Sequence, residues 1–174
     1  LVDQCQAMQV NVLHVSAFQA QELLAVDNIG TLAGMRLKLG GSHVTTALRQ
    51  QLRQGISDQL QAGYGTTETG AIAFTEADDV EADINESVGR PLPGIEVRIV
   101  SDDRQPLTHG EHGEIAIRCA GMFRGYLGDT ERTAKRLDDG WFYTGDIGHL
   151  DAQQRIHLSG RADDMFVFNS MNIY

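Results

Sequence analysis

Glycine clusters that follow short runs of alternating polar and apolar residues constrain the fold of this chain more than any other feature. Residues 35–39 form such a run and lead directly into Gly-Gly-Ser at 40–42, and residues 59–62 lead in the same way into Gly-Tyr-Gly at 63–65. Between them, a helix capped by Thr45 or Thr46 is predicted. Strands that alternate with glycine turns and helices are typical of a parallel sheet with helices on its faces. Ligands bind such sheets at the carboxyl ends of the strands, where these glycines fall.

Segments on either side of this core extend the pattern. Residues 10–15 predict a further strand, and Ser16 is the predicted N-cap of the helix that follows it. An acidic stretch at 76–86 predicts a solvated loop, and Gly-Arg-Pro-Leu-Pro-Gly at 89–94 predicts a rigid turn. The first part of the chain, residues 1–90, is therefore predicted to be α/β.

The second part of the chain has a different periodicity. One helix is predicted at about 130–137, and short alternating runs predict antiparallel strands at 95–100, 113–118, 141–143, 147–150 and 155–159. The expected fold class is thus α/β at 1–90 followed by mostly antiparallel β structure at 91–159.

Composition excludes several classes of protein. With 174 residues, 41% hydrophobic and 22% charged, the chain has enough apolar material for a core. Its net charge of −10 argues against binding to nucleic-acid phosphates, and no apolar stretch approaches the roughly 20 residues of a membrane span. Two distant cysteines suggest a reducing cytoplasmic location rather than a disulfide framework. The missing initial methionine leads us to expect a fragment of a longer protein.

Residues 63–68, Gly-Tyr-Gly-Thr-Thr-Glu, have the chemistry of a nucleotide site. Glycines on both sides of Tyr64 allow its ring to lie along a ligand, and the threonine hydroxyls can donate to phosphate oxygens. Glu68 offers a carboxylate, which Mg²⁺ prefers together with substrate phosphates. A polar turn capped by threonine explains the same residues, so the segment alone leaves both interpretations open.

Two later segments are ambiguous in the same way. Asp146 is predicted at a strand end behind a tight glycine turn, where it suits the hydroxyls of a ribose, but an ordinary β-turn explains it more simply. Arg161 suits a bidentate grip on phosphate or ribose, and an internal ion pair in a surface turn is its simpler explanation.

Other catalytic motifs are missing from the chain. No Lys-Ser or Lys-Thr pair follows residues 40–42, so a P-loop is excluded there, and neither a G-x-S-x-G elbow nor an H-E-x-x-H pair occurs. His109 and His112 are expected to be a solvated pair in a turn rather than metal ligands.

Taken in order, four segments resemble the adenylate-forming superfamily of acyl-CoA synthetases, aryl-CoA ligases, adenylation domains and luciferases. Residues 63–68 match G-Y-G-x-T-E, and residues 121–133 resemble G-Y-x-x-x-x-E-x-T. Residues 141–146 match W-F-x-T-G-D, and residues 160–174 match G-R-x-x-D with a trailing N-I-Y. The resemblance implies part of a large domain, namely half of a parallel α/β layer and a distorted β-barrel-like subdomain. Residues 160–174 would be the hinge and the start of a small C-terminal domain.

The resemblance also implies a reaction. A carboxylic acid attacks the α-phosphate of ATP, giving an acyl-adenylate and pyrophosphate, and the acyl group passes to coenzyme A with Mg²⁺ as cofactor. A carrier-protein pantetheine is the rival acceptor, and a non-catalytic degenerate or interaction module is the alternative to an enzyme. The family's phosphate loop and catalytic lysine fall outside this sequence, so the isolated chain is expected to be inactive. The acid itself is not identified.

The implied roles fall on numbered positions. Thr67 and Glu68 are the catalytic candidates, with Thr67 on the α-phosphate and Glu68 as the Mg²⁺ ligand, and Asp163 is the hinge. The nucleotide would be bound by Gly41, Ser42, His43, Gly63, Tyr64, Gly65, Thr67, Asp146 and Arg161. The acyl pocket would be lined by Lys38, Gly40, Gly63, Ala71 and Ile72. Within these sets, Tyr64 would stack on adenine and Asp146 would bind the ribose, while Lys38 would pair with an acidic substrate group or lie in solvent.

Overall fold

The chain forms two compact units. A computed structural model describes residues 2–26, 32, 34–41, 43–77, 79–164, 166–168 and 171–173. Unit 1 comprises Leu1–Tyr64 and Ala73–Gly89, and unit 2 comprises Gly65–Ile72 and Arg90–Tyr174. The boundary therefore cuts a hairpin whose base belongs to unit 1 and whose tip belongs to unit 2.

Unit 1 contains alternating helices and strands. In chain order these are α1 (Val2–Ala7), β1 (Val12–Val15), α2 (Ala17–Leu24), β2 (Arg36–Leu39), α3 (Thr46–Gly55), β3 (Leu60–Thr66), β4 (Gly70–Phe74) and α4 (Val80–Ile84). Strands β1, β2 and β3 pair in parallel, as the sequence predicts. Strand β4 pairs with β3 after a three-residue connection, which requires an antiparallel return, so the sheet is mixed rather than parallel.

Predicted caps begin two of these helices. The Ser16 hydroxyl accepts a hydrogen bond from the Gln19 amide and the Gln19 side chain accepts one from the Ser16 amide, which together form a capping box before α2. Thr45 accepts from the Leu48 amide before α3, whose last residue is Gly55. The hydrophobic core of unit 1 is formed by residues that are almost fully buried, including Leu37, Leu39, Leu52, Ile56 and Leu60.

The acidic stretch at 76–86 is not the solvated loop that its composition predicts. It contains α4, which begins after Asp79, whose carboxylate accepts a hydrogen bond from the Ala82 amide. Arg49 of α3 is only 1% exposed and donates hydrogen bonds to the carbonyl oxygens of Ala82, Glu86 and Ser87. A buried arginine more than thirty residues away therefore holds this segment against unit 1.

The turn predicted at 63–65 is also wrong, because β3 continues through it. Tyr64 lies within the strand and is 8% exposed, and the turn comes later, at 67–69. A Cβ on Gly65 would lie 2.5 Å from the Gly70 carbonyl oxygen, so this glycine allows two strands to approach closely rather than to turn.

Unit 2 is dominated by antiparallel β structure, as expected. It contains β5 (Arg90–Pro91), β6 (Ile95–Val100), β7 (Gly113–Cys119), α5 (Thr130–Arg136), β8 (Leu137–Asp138), β9 (Trp141–Leu150), β10 (Ile156–Arg161), a 3₁₀ turn (Ala162–Asp164), β11 (Phe166–Phe168) and β12 (Met171–Ile173). Its main sheet has the order β10-β9-β7-β6, with β8 also paired to β9. β5 pairs with β4, and β11 pairs with β12.

Strand β9 replaces the two strands predicted at 141–143 and 147–150. Its register against β7 steps from Ile147 to Tyr143 while β7 advances only from Glu114 to Ala116, which is a bulge. Gly145 lies in this bulge with φ of +78°, so a glycine that looks like a turn in the sequence bends one continuous strand.

No helix among the described residues has the length and hydropathy to cross a membrane; the longest, α3, has ten residues.

Three imidazoles stack in unit 2. The ring centres of His149 and His157 are 4.6 Å apart and nearly parallel, and those of His112 and His149 are 4.5 Å apart. His109 and His112 are both exposed, as predicted, and they have different partners: His112 contacts His149 and Ser159, whereas His109 contacts Gln154. His149 Nδ1 is buried and accepts or donates no hydrogen bond within the described part of the chain.

We expect this cluster of imidazoles to make the stability of unit 2 depend on pH. Burial lowers the pKa of His149, and the neighbouring His157 and His112 lower it further, against a smaller opposing effect of Asp151. The unfolded chain, with a histidine pKa of about 6.5, therefore takes up this proton before the folded chain does as the pH falls. We expect the free energy of unfolding to decrease as the pH is lowered from 7.5 to 5.5. The measurement is urea unfolding, monitored by the fluorescence of Trp141.

The matched comparison is His149→Leu, which removes this titration and should flatten the pH dependence over that range. His109→Gln removes an exposed histidine and should leave the slope of the native chain unchanged. Equal slopes for the native chain and His149→Leu would contradict the prediction.

Candidate functional site

In unit 1, three predicted acyl-pocket residues lie together where the end of β2 runs beside the middle of β3. A Cβ on Gly40 would lie 3.9 Å from the Gly63 carbonyl oxygen, and one on Gly63 would lie 2.4 Å from the Phe74 ring. Lys38 Nζ lies 4.7 Å from the centre of that same ring. The Lys38 ammonium is therefore in a cation–π contact rather than simply in solvent. Sequence analysis missed Phe74, because only strand pairing brings it to Gly63.

His43, one of the predicted adenine-side residues, is held by a carboxylate that the sequence did not indicate. His43 Nε2 lies 2.9 Å from Glu86 Oε2, and the Thr46 amide donates to Glu86 Oε1 at 2.7 Å. Burial would raise the pKa of Glu86, but the Thr46 hydrogen bonds and His43 outweigh it, so the pKa is lowered. Gly41 is exposed with φ of +81°, and Ser42 lies outside the described residues.

In unit 2, the connection between β3 and β4 presents the two catalytic candidates. The Thr66 and Thr69 hydroxyls lie 3.0 Å apart, and the Thr69 amide donates to the Thr66 hydroxyl at 3.2 Å, so the turn is closed from within. Thr67 is exposed and Glu68 is half-buried. The hydroxyl and the carboxylate are therefore available at the tip of a rigid hairpin.

Glu68 is gripped by a loop that precedes α5. The Tyr126 hydroxyl donates to Glu68 Oε1 at 2.7 Å, and the Phe123 amide donates to the Glu68 carbonyl oxygen at 2.8 Å. Burial would raise the pKa of Glu68, but hydrogen bonds from Tyr126, its own amide and Thr66, with the charge of Arg132, lower it below its ordinary value. Glu68 is therefore ionised at neutral pH.

The motif-like segment 121–133 fixes Tyr126. The Tyr126 amide donates to the Thr133 hydroxyl at 2.9 Å, and that hydroxyl donates to the Asp129 carbonyl oxygen at 2.7 Å. A Cβ on Gly125 would lie 2.8 Å from Thr133 Cγ2, so no larger residue fits there. One loop thus depends on Gly125, Tyr126 and Thr133 of the G-Y-x-x-x-x-E-x-T stretch. The fourth named residue, Glu131, is exposed.

Asp146, Arg161 and Asp163 form a second group in unit 2. Arg161 is paired with Asp146 across β9 and β10, with Nη1 and Oδ1 2.9 Å apart, and its Nη2 lies 3.4 Å from Asp163 Oδ2. Asp146 lies inside β9 rather than at a strand end, because the chain does not reverse direction at the bulge. Arg136 also lies 3.5 Å from Asp163, a contact that the sequence did not indicate.

The remaining predicted residues lie on β4. Ala71 is exposed, whereas Ile72 is fully buried and packs inside the protein. Within the described ranges, no group of three or more histidine, cysteine, aspartate or glutamate side chains could hold a metal ion. A cation bound at Glu68 would therefore take its other ligands from substrate or water, which is the usual arrangement for Mg²⁺.

Known proteins share both the sequence and the fold. The family described as AMP-binding enzyme matches residues 1–127. The chain is 34% identical over 146 residues to the indoleacetate–CoA ligase of Aromatoleum aromaticum, covering 82% of this chain and 28% of that protein. It is 34% identical over 145 residues to the medium-chain fatty-acid–CoA ligase of Escherichia coli, covering 82% and 25%.

A solved structure confirms the expected fold. The amide bond synthetase McbA from Marinactinospora thermotolerans superimposes with a TM-score of 0.90 at 29% identity, over 99% of this chain and 36% of that one. The chain thus spans about a quarter to a third of the length of the proteins it matches. Since the family match covers well over half of its residues, the chain belongs to the AMP-binding enzyme family.

Proposed function

We propose that the full-length protein carrying this chain is an ATP-dependent ligase that activates a carboxylic acid as an acyl-adenylate and transfers it to coenzyme A. The observation that carries the proposal is the similarity to ligases that differ in their acids and share coenzyme A as acceptor. The shared acceptor supports the reaction, and the different acids leave the substrate to experiment.

The nucleotide is assigned to residues that expose suitable groups. The Thr67 hydroxyl, which is on an exposed residue, would donate to the α-phosphate, where charge develops during adenylation. The Asp146 carboxylate, oriented by Arg161, would accept hydrogen bonds from the ribose hydroxyls. Tyr64 with Gly63, Gly65 and the segment containing Gly41, Ser42 and His43 is assigned to the adenine, and Asp163 keeps its proposed role as hinge.

Glu68 fits a magnesium ligand. It is an ionised, half-buried carboxylate whose direction is fixed by Tyr126. When bound, Mg²⁺ would neutralise charge on the phosphates. The protein itself would contribute to adenylation by orienting the phosphates and by holding Glu68 in place.

The acid is assigned to the patch formed by Lys38, Gly40, Gly63 and Phe74, with Ala71 as a further contact. Ile72 keeps its proposed role in the acyl pocket, with a side chain that is fully buried. Cys5 and Cys119 are both free thiols, which supports the proposed cytoplasmic location.

The decisive test is ATP–pyrophosphate exchange by the full-length protein across a panel of aryl, short-chain and medium-chain carboxylic acids. We expect exchange that depends on one class of acid, and acyl-CoA formation when coenzyme A is added. Reactions without acid are the control. If none of the acids in the panel supported exchange, adenylation would be contradicted. Acyl transfer to an amine or to a carrier protein, with none to coenzyme A, would contradict the proposed acceptor.

A further inference from the structure

The Tyr126 hydroxyl is bonded directly to the Glu68 carboxylate. Its hydroxyl lies 2.7 Å from Glu68 Oε1, a distance typical of a hydroxyl donating to an ionised carboxylate. Such charge-assisted bonds are about twice as strong as neutral ones, so the hydroxyl restricts the carboxylate to one orientation.

The donor is itself held on several sides. Phe123 packs edge-on against the Tyr126 ring with centres 4.9 Å apart, and the Arg132 guanidinium lies 4.1 Å from the ring centre. The Tyr126 amide is fixed by the Thr133 hydroxyl. A ring held in this way cannot follow the carboxylate if Glu68 rotates, so it sets the direction of the carboxylate.

The same loop also holds the backbone of Glu68. The Phe123 amide donates to the Glu68 carbonyl oxygen at 2.8 Å, so residues 123 and 126 grip Glu68 at two points. Loss of the hydroxyl would leave the turn in place and free only the carboxylate. The side-chain contact can therefore be tested without removing the backbone contact.

We propose that Tyr126 is a positioning residue that orients the Glu68 carboxylate for Mg²⁺ bound with the nucleotide. This inference rests on the proposed function. Residues that orient a metal ligand typically change metal affinity by about 10- to 100-fold when they are replaced. The hydroxyl should therefore matter for Mg²⁺ affinity and much less for the rate at saturating Mg²⁺.

The test uses Tyr126→Phe in the full-length protein. We expect the Mg²⁺ concentration for half-maximal pyrophosphate exchange to rise about tenfold, with kcat at saturating Mg²⁺ falling less than threefold. In the Glu68→Gln background the same replacement should have no further effect on Mg²⁺ dependence. Tyr143→Phe, which removes a hydroxyl elsewhere in unit 2, is the matched control.

A second readout needs neither metal nor turnover. In the metal-free protein, with glutamate side chains labelled with ¹³C, Tyr126→Phe should raise the pKa of Glu68, because it removes a donor to the ionised form. The Glu68 signal is assigned by its loss in Glu68→Gln. Thr133→Val leaves the Tyr126 hydroxyl in place but removes the acceptor of the Tyr126 amide. It should therefore produce a smaller rise in the Mg²⁺ requirement than Tyr126→Phe.

The possible failures are distinguishable. If Glu68→Gln leaves exchange and its Mg²⁺ dependence intact, the proposed role of Glu68 is wrong. If Glu68→Gln lowers exchange about a hundredfold while Tyr126→Phe changes neither the half-maximal Mg²⁺ concentration beyond twofold nor the pKa of Glu68, only the positioning role is overturned. A lower kcat with unchanged Mg²⁺ dependence would also overturn it, because that result indicates a merely structural tyrosine.

Discussion

Replacing Glu68 with glutamine is expected to lower acid-dependent ATP–pyrophosphate exchange by the full-length protein about a hundredfold. Glutamine keeps the size of the side chain and an oxygen that can accept the Tyr126 hydrogen bond, but it removes the negative charge. A metal ion that neutralises transferring phosphates contributes several kcal/mol, of which Glu68, as the proposed ligand, would supply part. A hundredfold loss corresponds to about 2.7 kcal/mol in the barrier.

Glu76→Gln is the matched control, since Glu76 is an exposed glutamate eight residues away along the chain. It should keep the native rate of exchange. Excess Mg²⁺ should rescue Tyr126→Phe and not Glu68→Gln, because only the second variant lacks the ligand charge. A decrease of less than about tenfold, roughly 1.4 kcal/mol, would show that Glu68 has no such role.

The second large effect concerns stability. Arg49→Met is expected to lower the free energy of unfolding of unit 1 by about 3 kcal/mol. The guanidinium is 1% exposed and donates to four carbonyl oxygens, those of Val44, Ala82, Ser87 and Glu86. Methionine fills a similar volume but leaves these oxygens without their donor in a buried region.

The measurement is urea unfolding of the chain followed by circular dichroism. Gln50→Met places the same side chain at the next, exposed position of α3 and should change the midpoint little. Trp141 is the sole tryptophan of the sequence and belongs to unit 2, so its fluorescence reports separately on that unit. A loss below about 1 kcal/mol in Arg49→Met would contradict the structural role given to Arg49.

Local signals were enough to predict most of the fold. The Ser16 and Thr45 caps, the parallel strands and the antiparallel runs all follow from neighbouring residues. Strand β9 was missed because a glycine in a bulge has the same local appearance as a glycine in a turn. Helix α4 was missed because Arg49, which holds it, lies 33 residues before its contact at Ala82.

The candidate site divides in the same way. Thr67, Glu68 and Asp146 could be selected by residue type and motif order alone. Their partners could not be selected, since Tyr126 is 58 residues from Glu68 and Glu86 is 43 residues from His43. Motifs therefore indicate which side chains are candidates, and tertiary contacts decide how those side chains are oriented.

The split hairpin has a consequence for recombination between relatives. Because residues 65–72 belong to the same unit as residues 90–174, a hybrid joined at position 90 would take Glu68 from one parent and Tyr126 from the other. If the two parents have different loops at 121–133, the contact between Glu68 and that loop would be mismatched in the hybrid. A hybrid that transfers the hairpin tip together with the later segment keeps this pair from a single ancestor. The exchangeable piece is thus discontinuous in the gene although it is continuous in space.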